Sequence, residues 1–231
     1  MEYLNIYFDS EFTGLRKDTE LISLGFVSES GATFYAEFND FSMKYVDEWI
    51  TKNVIDNLVM FIKSVRELGL VDPYTCFKKT INHTNHYNTQ MLSNKTNIAN
   101  ELQDWLNNEY ALANKEIRFI SDCYAYDWML LCDLMCDDGC AINTIPNTSY
   151  IPIDLSTMLY MNQIDPDVNR EEFIGNETCN SIETTMLKLK LFEHTSFKSI
   201  KHNSLWDAYV IKAACEKVIS MPRVVPWGSL G

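Results

Sequence analysis

The chain is expected to fold as an α/β protein, a mixed central sheet flanked by helices in one domain, and three observations predict this. Apolar patterns follow the order strand, strand, strand, then helix, strand, helix, strand, helix, which builds a sheet covered by helices. At 231 residues, 46% of them apolar and 13% aromatic, the chain can bury one substantial core. Only 8 Gly and 6 Pro exclude collagen-like, linker-like and low-complexity architectures.

Residues 3–8 alternate weakly, 21–27 are mostly apolar and 33–38 are aromatic and β-branched, so all three read as strands. Gly14 with Arg16, Lys17 and Asp18 turns the chain once, and the Ser-Glu-Ser-Gly run at 28–31 makes a short, hairpin-like second turn. Between 45 and 68, Val46, Trp49, Ile50, Val54, Leu58, Phe61, Ile62 and Val65 recur at helical spacing with a break near Asn53. Periodicity then disappears from 72 to 97, where Asn, Thr, Lys and His dominate, and a long loop or surface insertion is expected. A helical stripe resumes over 98–105, a short buried strand follows at 117–120, and 126–135 is a strongly apolar helix. A strand at 150–155 and helices at 178–192 and 204–218 complete a single domain over 1–220, leaving 221–231 as an irregular tail.

The net charge of −13 and pI of about 4.7 exclude a generic basic-patch DNA binder. Acids at Glu2, Asp9 and Glu11 occupy the place where an export signal needs a basic flank and an apolar core. Without an uncharged apolar run long enough to span a bilayer, no membrane partner is expected and a cytoplasmic location is. Seven cysteines, an odd number in a chain of this size, fit reduced thiols rather than a disulfide framework.

Asp9 and Glu11, two residues apart at the end of the first strand, point to the same side of the sheet. Side by side they repel unless a cation sits between them, and hard oxygen ligands suit Mg²⁺ or Mn²⁺. The surrounding run FDSEFTGL, residues 8–15, resembles the first motif of the DEDD superfamily of 3′-to-5′ exonucleases, whose fold is ribonuclease H-like. ISDCYAYDWMLL at 120–131 is similar to the second motif and puts Asp127 in the place of the third acid, ahead of its neighbours Asp122 and Asp133. HNSLWDA at 202–208 has the pattern of the third, a His five residues before an Asp, which makes Asp207 the fourth acid and His202 the mark of the His-type branch. The stretches 20–38 and 46–54 further resemble bacterial and phage exoribonucleases of the mycobacterial ribonuclease AS type.

That resemblance implies a two-metal-ion hydrolase. Asp9, Glu11, Asp127 and Asp207 would hold two Mg²⁺ or Mn²⁺ ions, and His202 would accept the proton of the attacking water. It also implies that Phe12, Thr13, Leu15 and Tyr126 contact the substrate, with Tyr124 and Trp128 as further candidates, and that the protein is a homodimer. The expected partner is single-stranded RNA or a short oligonucleotide, with DNA the alternative. On one continuous helix His202 and Asp207 would lie about 140° apart around the axis. His202 must therefore precede the last helix, on a mobile entry loop, with Asn203 or Ser204 as cap and Ser204 to Asp207 as a capping box.

Two other classes compete. A non-catalytic adaptor would keep the fold for protein binding, although all five site residues are present. A zinc module could use Cys132, Cys136 and Cys140 with His83 and His86, yet the spacing is not that of paired zinc knuckles and buried thiols are the expectation. Charge distribution offers a substrate path: 186–223 holds seven Lys and Arg against three acids, while the remainder carries −17. A small basic rim near His202 would suit short or single strands held with salt-sensitive affinity.

Overall fold

The structure, a computed structural model, describes residues 2–61, 76–83, 86–122, 124–136, 145, 147–189 and 201–222, with the side chains of 81–87 excepted. Three strands open the fold: β1 (Tyr3–Phe12), β2 (Leu21–Ser28) and β3 (Thr33–Phe38), paired antiparallel in sequence. β6 (Glu116–Ser121) then lies parallel to β1, and β7 (Ile153–Asp154) parallel to β6. The order β3-β2-β1-β6-β7 is the mixed sheet that the sequence predicts, and it is compatible with the ribonuclease H-like fold that the resemblance implies.

Two strands beyond β3 were not expected. β4 (Phe77–His83) and β5 (His86–Ser93) form a hairpin that extends the sheet to seven strands, with β5 parallel to β3. The expected loop at 72–97 is thus a sheet edge over most of its length. It escapes pattern reading because Asn88, Thr89, Gln90 and Ser93 are polar yet buried. Their polarity is satisfied within the fold: Asn88 Oδ1 accepts from Thr33 N at 3.1 Å and Thr33 Oγ1 at 2.8 Å, and Gln90 Nε2 donates to Leu189 O at 3.1 Å.

Alternation along β1 divides the core. Leu4, Ile6 and Phe8 enter one apolar layer, closed by α1 (Glu48–Asn53), α2 (Lys95–Ala113) and α3 (Ala125–Met135). Tyr7 enters the other, closed by α4 (Leu155–Met161), α5 (Arg170–Ile174), α6 (Asn176–Lys188) and α7 (Ser204–Ser220). The break expected near Asn53 is present: α1 ends there, a short 3₁₀ turn spans Ile55–Asn57, and helical backbone resumes at Met60. The remainder of the expected helix to 68 lies outside the described residues, as does the tail from 223.

The strand expected at 150–155 shrinks to two residues. Asp154 Oδ2 accepts from Thr157 N at 2.8 Å, so this residue caps α4 and turns the chain out of the sheet. Among the described residues no helix is long and apolar enough to cross a membrane. Among the described residues Cys76, Cys132, Cys136, Cys179 and Cys215 form no disulfide, and Cys140 lies outside the described residues.

Candidate functional site

β1 delivers two carboxylates to one face. Asp9 and Glu11 share the parity of Tyr7, so they face the layer that holds α7, while Ser10 faces the layer that holds α3. Asp9 lies opposite Gly25 and Glu11 opposite Ser23 on β2, with the register shifting just after Glu11. That pairing brings α7 to them. A Cβ on Gly25 would lie 2.3 Å from the backbone of Ser204 and Leu205, so only glycine lets the first turn of α7 rest on β2 beside Asp9. Ser23 and Ser204 hydroxyls, 3.0 Å apart, fix the same crossing.

The start of α7 uses the first of the two expected caps and replaces the expected Ser204–Asp207 capping box. Asn203, not Ser204, is the cap, its Oδ1 accepting from Trp206 N at 3.3 Å. Asp207 Oδ2 accepts in return from His202 N at 3.0 Å. His202 therefore precedes the helix, as the geometry of its spacing requires, and takes a left-handed backbone at φ 64. Its Nδ1 stands 3.8 Å from Glu11 Oε1. One ligand atom each from Glu11, His202 and Asp207 lie within 4.8 Å of one another, so the end of β1 and the start of α7 meet at one point.

Asp127 reaches the same rim from the opposite layer. It sits in the first turn of α3, buried, and its Oδ1 accepts from Ser10 Oγ at 2.5 Å. Its rivals are committed elsewhere or turned away: Asp133 is exposed, and Asp122 pairs with Arg170 at 2.7 Å and accepts from Ser156. Burial pushes Asp127 and Asp207 up to about 7, against the hydrogen bonds from Ser10 and His202 that favour their charged forms. Asp9 is held well above the usual carboxylate range by burial and then by the charges of Asp127, Asp207 and Glu11. Burial and the charges of Asp207 and Asp127 do the same to Glu11. His202 is pushed below its ordinary value by burial and by Lys201. The four carboxylates resist ionising together, and of them Glu11 and Asp207, with His202, bring ligand atoms close enough to share a cation.

Beside this cluster opens a cavity of about 370 Å³, lined by Asp9, Asp207 and His202 and walled by the 166–171 segment. Arg170 fastens that wall through Asp122 and the carbonyl of Pro166, and Glu171 Oε1 accepts from Trp206 Nε1 at 2.8 Å. The volume suits a ligand of nucleotide size.

The expected substrate residues divide. Leu15 is 79% exposed at the tip of the turn after β1, and Phe12 stacks on Tyr126 with ring centroids 5.3 Å apart. Thr13 is buried, its hydroxyl accepting from Glu20 N at 3.0 Å, so its side chain holds the turn instead of facing out. Trp49 was read as part of a core stripe, yet it is 56% exposed and meets the His202 ring edge-on at 5.2 Å. A tryptophan on a helix of six residues gives too short a period for the sequence to tell the two faces apart.

Of the seven basic residues of the expected rim, Lys190, Lys198 and Arg223 lie outside the described residues, and two of the others are engaged by the fold. Lys212 donates to Ser28 O at 3.1 Å, and Lys217 donates to Phe173 O, so both serve the fold. Lys201 lines the cavity, while Arg16 and Lys44 flank the Tyr45 ring at 4.4 and 4.8 Å on the Leu15 side. The scan against protein-family models and the search of curated proteins returned no match for this chain.

Proposed function

We propose that this protein is a metal-dependent 3′-to-5′ exonuclease that hydrolyses single-stranded nucleic acid, RNA by preference, and releases nucleoside 5′-monophosphates. The observation that carries the reading is the meeting of Glu11, His202 and Asp207 at the rim of a ribonuclease H-like sheet, with the half-buried Asp9 and the buried Asp127 adding their charges to the same point. Glu11 comes from the end of β1, His202 from the turn before α7 and Asp207 from its first turn, three residues expected from two separate motifs.

Asp9, Glu11, Asp127 and Asp207 would hold Mg²⁺ or Mn²⁺, which supplies the positive charge that acidifies the attacking water and steadies the departing 3′-oxygen. The carboxylates orient this site and keep it anionic, so a phosphodiester is admitted only with its cations. His202, whose ring is 30% exposed and kept neutral near pH 7 by burial, takes the proton from the water at its free ring nitrogen. Leu15 and the Phe12–Tyr126 pair offer apolar surface for the terminal bases, and Lys201, Arg16 and Lys44 meet the phosphates. The resemblance also carries the proposal of a homodimer.

Incubation of a 5′-labelled single strand with the protein and Mg²⁺ or Mn²⁺ is expected to give a ladder shortened from the 3′ end. A blocked 3′-hydroxyl should stop it, and parallel RNA and DNA strands should show faster loss of RNA. Internal fragments, or no cleavage with either ion, would overturn the assignment.

A further inference from the structure

Outside the acid cluster, Asn57 and Tyr35 hold the residues on either side of His202, Lys201 by its carbonyl and Asn203 by its side chain, and neither takes part in the proposed chemistry. Asn57, just after α1, donates from Nδ2 to the carbonyl of Lys201 at 2.8 Å, one residue before His202. Its own carbonyl accepts from Asn203 Nδ2 at 3.3 Å, one residue after. The same Asn203 amide donates to Tyr35 OH at 3.0 Å, and Tyr35 OH donates to Glu37 Oε1 at 2.7 Å.

Glu37 is a fully buried carboxylate on β3 with no cation beside it among the contacts described; it is held instead by donors. The backbone N–H groups of Val59, Met60 and Phe61 point at its two oxygens, at 2.6, 3.0 and 2.5 Å. A carboxylate that accepts three amides and a phenol has its lone pairs filled and its orientation fixed. It therefore anchors two things at once: the start of the helical backbone at Met60, and the phenol that holds Asn203. Tyr35 is itself fully buried, and burial followed by the charge of Glu37 holds its phenol protonated.

From the opposite side, Asp207 holds His202 N. The left-handed backbone of His202 is thus gripped before, at and after the residue, and the entry loop expected to be mobile is restrained by β3 and by the turn after α1. Strained conformations of this kind persist when surrounding contacts over-determine them.

We propose that Tyr35, backed by Glu37, and Asn57 are positioning residues that hold the His202 loop in the one conformation from which its ring meets Glu11 and Asp207. The catalytic consequence rests on the exonuclease reading; the placement of the ring does not.

Tyr35→Phe removes one oxygen and tests both parts. In ¹H–¹³C spectra of the protein's four histidines, with the His202 line identified by its loss in His202→Ala, the Tyr35→Phe substitution is expected to shift or broaden that line and leave the others in place. On a single-stranded substrate it should lower kcat about 10- to 100-fold, as expected when a catalytic group is misplaced by a fraction of an ångström, with KM and Mn²⁺ affinity within about twofold. In the His202→Ala background the same substitution should cost less than about twofold, because it acts only through the missing ring.

An unmoved His202 line, or an equal loss in both backgrounds, would overturn the proposal. A moved line in a protein that cleaves no strand would leave the positioning intact and remove the exonuclease reading. Should Tyr35→Phe fail to fold, Asn57→Ala, at a half-buried site outside the core, is read in the same three measurements against the same outcomes.

Discussion

His202 pays for its location in backbone conformation. A φ of 64 costs a β-carbon-bearing residue roughly 1–2 kcal/mol, and the sequence offers no glycine there to relieve it. Asp207 and Asn57 compensate by binding the peptide groups at and before His202, and Tyr35 by holding the side chain of Asn203 after it. His202→Ala should therefore fold close to normally while losing about 10²- to 10⁴-fold in kcat, the range for removal of a general base. Mn²⁺ affinity measured by calorimetry should stay near that of the parent, whereas Asp9→Ala should lose it; an equal loss in both would make His202 a ligand and not a base. The four acids and this histidine were legible because their chemistry needs particular residue types at particular spacings. Trp49, Tyr35 and Asn57 were not, since an exposed indole, a strand tyrosine and a turn asparagine acquire a role only through contacts across the fold. Of the two caps the sequence offers, Asn203 is the one used, and the Ser204 hydroxyl is engaged by Ser23 on β2.

Between elements, the decisive approach is α7 on β2 at Gly25. Gly25 sits across from Asp9, so the contact that lets the helix down also sets how near Asp207 comes to Asp9. Gly25→Ala places a methyl group 2.3 Å from the helix backbone, and backbone cannot yield as a flexible side chain does. Destabilisation of about 1–3 kcal/mol is expected from such overpacking, read as a lower denaturation midpoint, together with loss of hydrolysis exceeding the loss of folded protein. Full activity in the folded fraction would mean that α7 can ride higher on the sheet without spoiling the site. Sequence patterns recovered β1, β2, β3, β6, α3 and α7, where apolar periodicity and burial coincide. They missed β4, β5, α4 and α5, for opposite reasons. The hairpin buries polar residues satisfied by side-chain hydrogen bonds, and α4 and α5, at seven and five residues, are too short to show a helical period. Those short elements wall the cavity, so its shape was the least legible part of the site.

Over the whole molecule, which carries an excess of 13 negative charges, four of the 32 acids lie buried or half-buried at one rim, where negative charge costs most. Asp127 and Asp207 bind protons in the folded protein up to about pH 7, whereas an unfolded chain releases them near 3.8. Asp9 and Glu11 are raised in the same direction. Between those two pH values the folded state carries more protons, so stability in the absence of divalent ions must fall as pH rises from 4 through 7, and return as pH is lowered. His202, shifted below 6.5, works against this on the acid side, one group opposing four. Divalent ions reverse the order, because they bind the deprotonated carboxylates and add their binding free energy to folding. In chelator, the unfolding temperature is therefore expected to be higher at pH 5.5 than at pH 8. Millimolar Mg²⁺ or Mn²⁺ should raise it at pH 8 by more than at pH 5.5, and Asp207→Asn should flatten the chelator profile and weaken the response to metal. A chelator-treated protein that is more stable at pH 8, with no gain from either ion, would show that the four acids do not share one site.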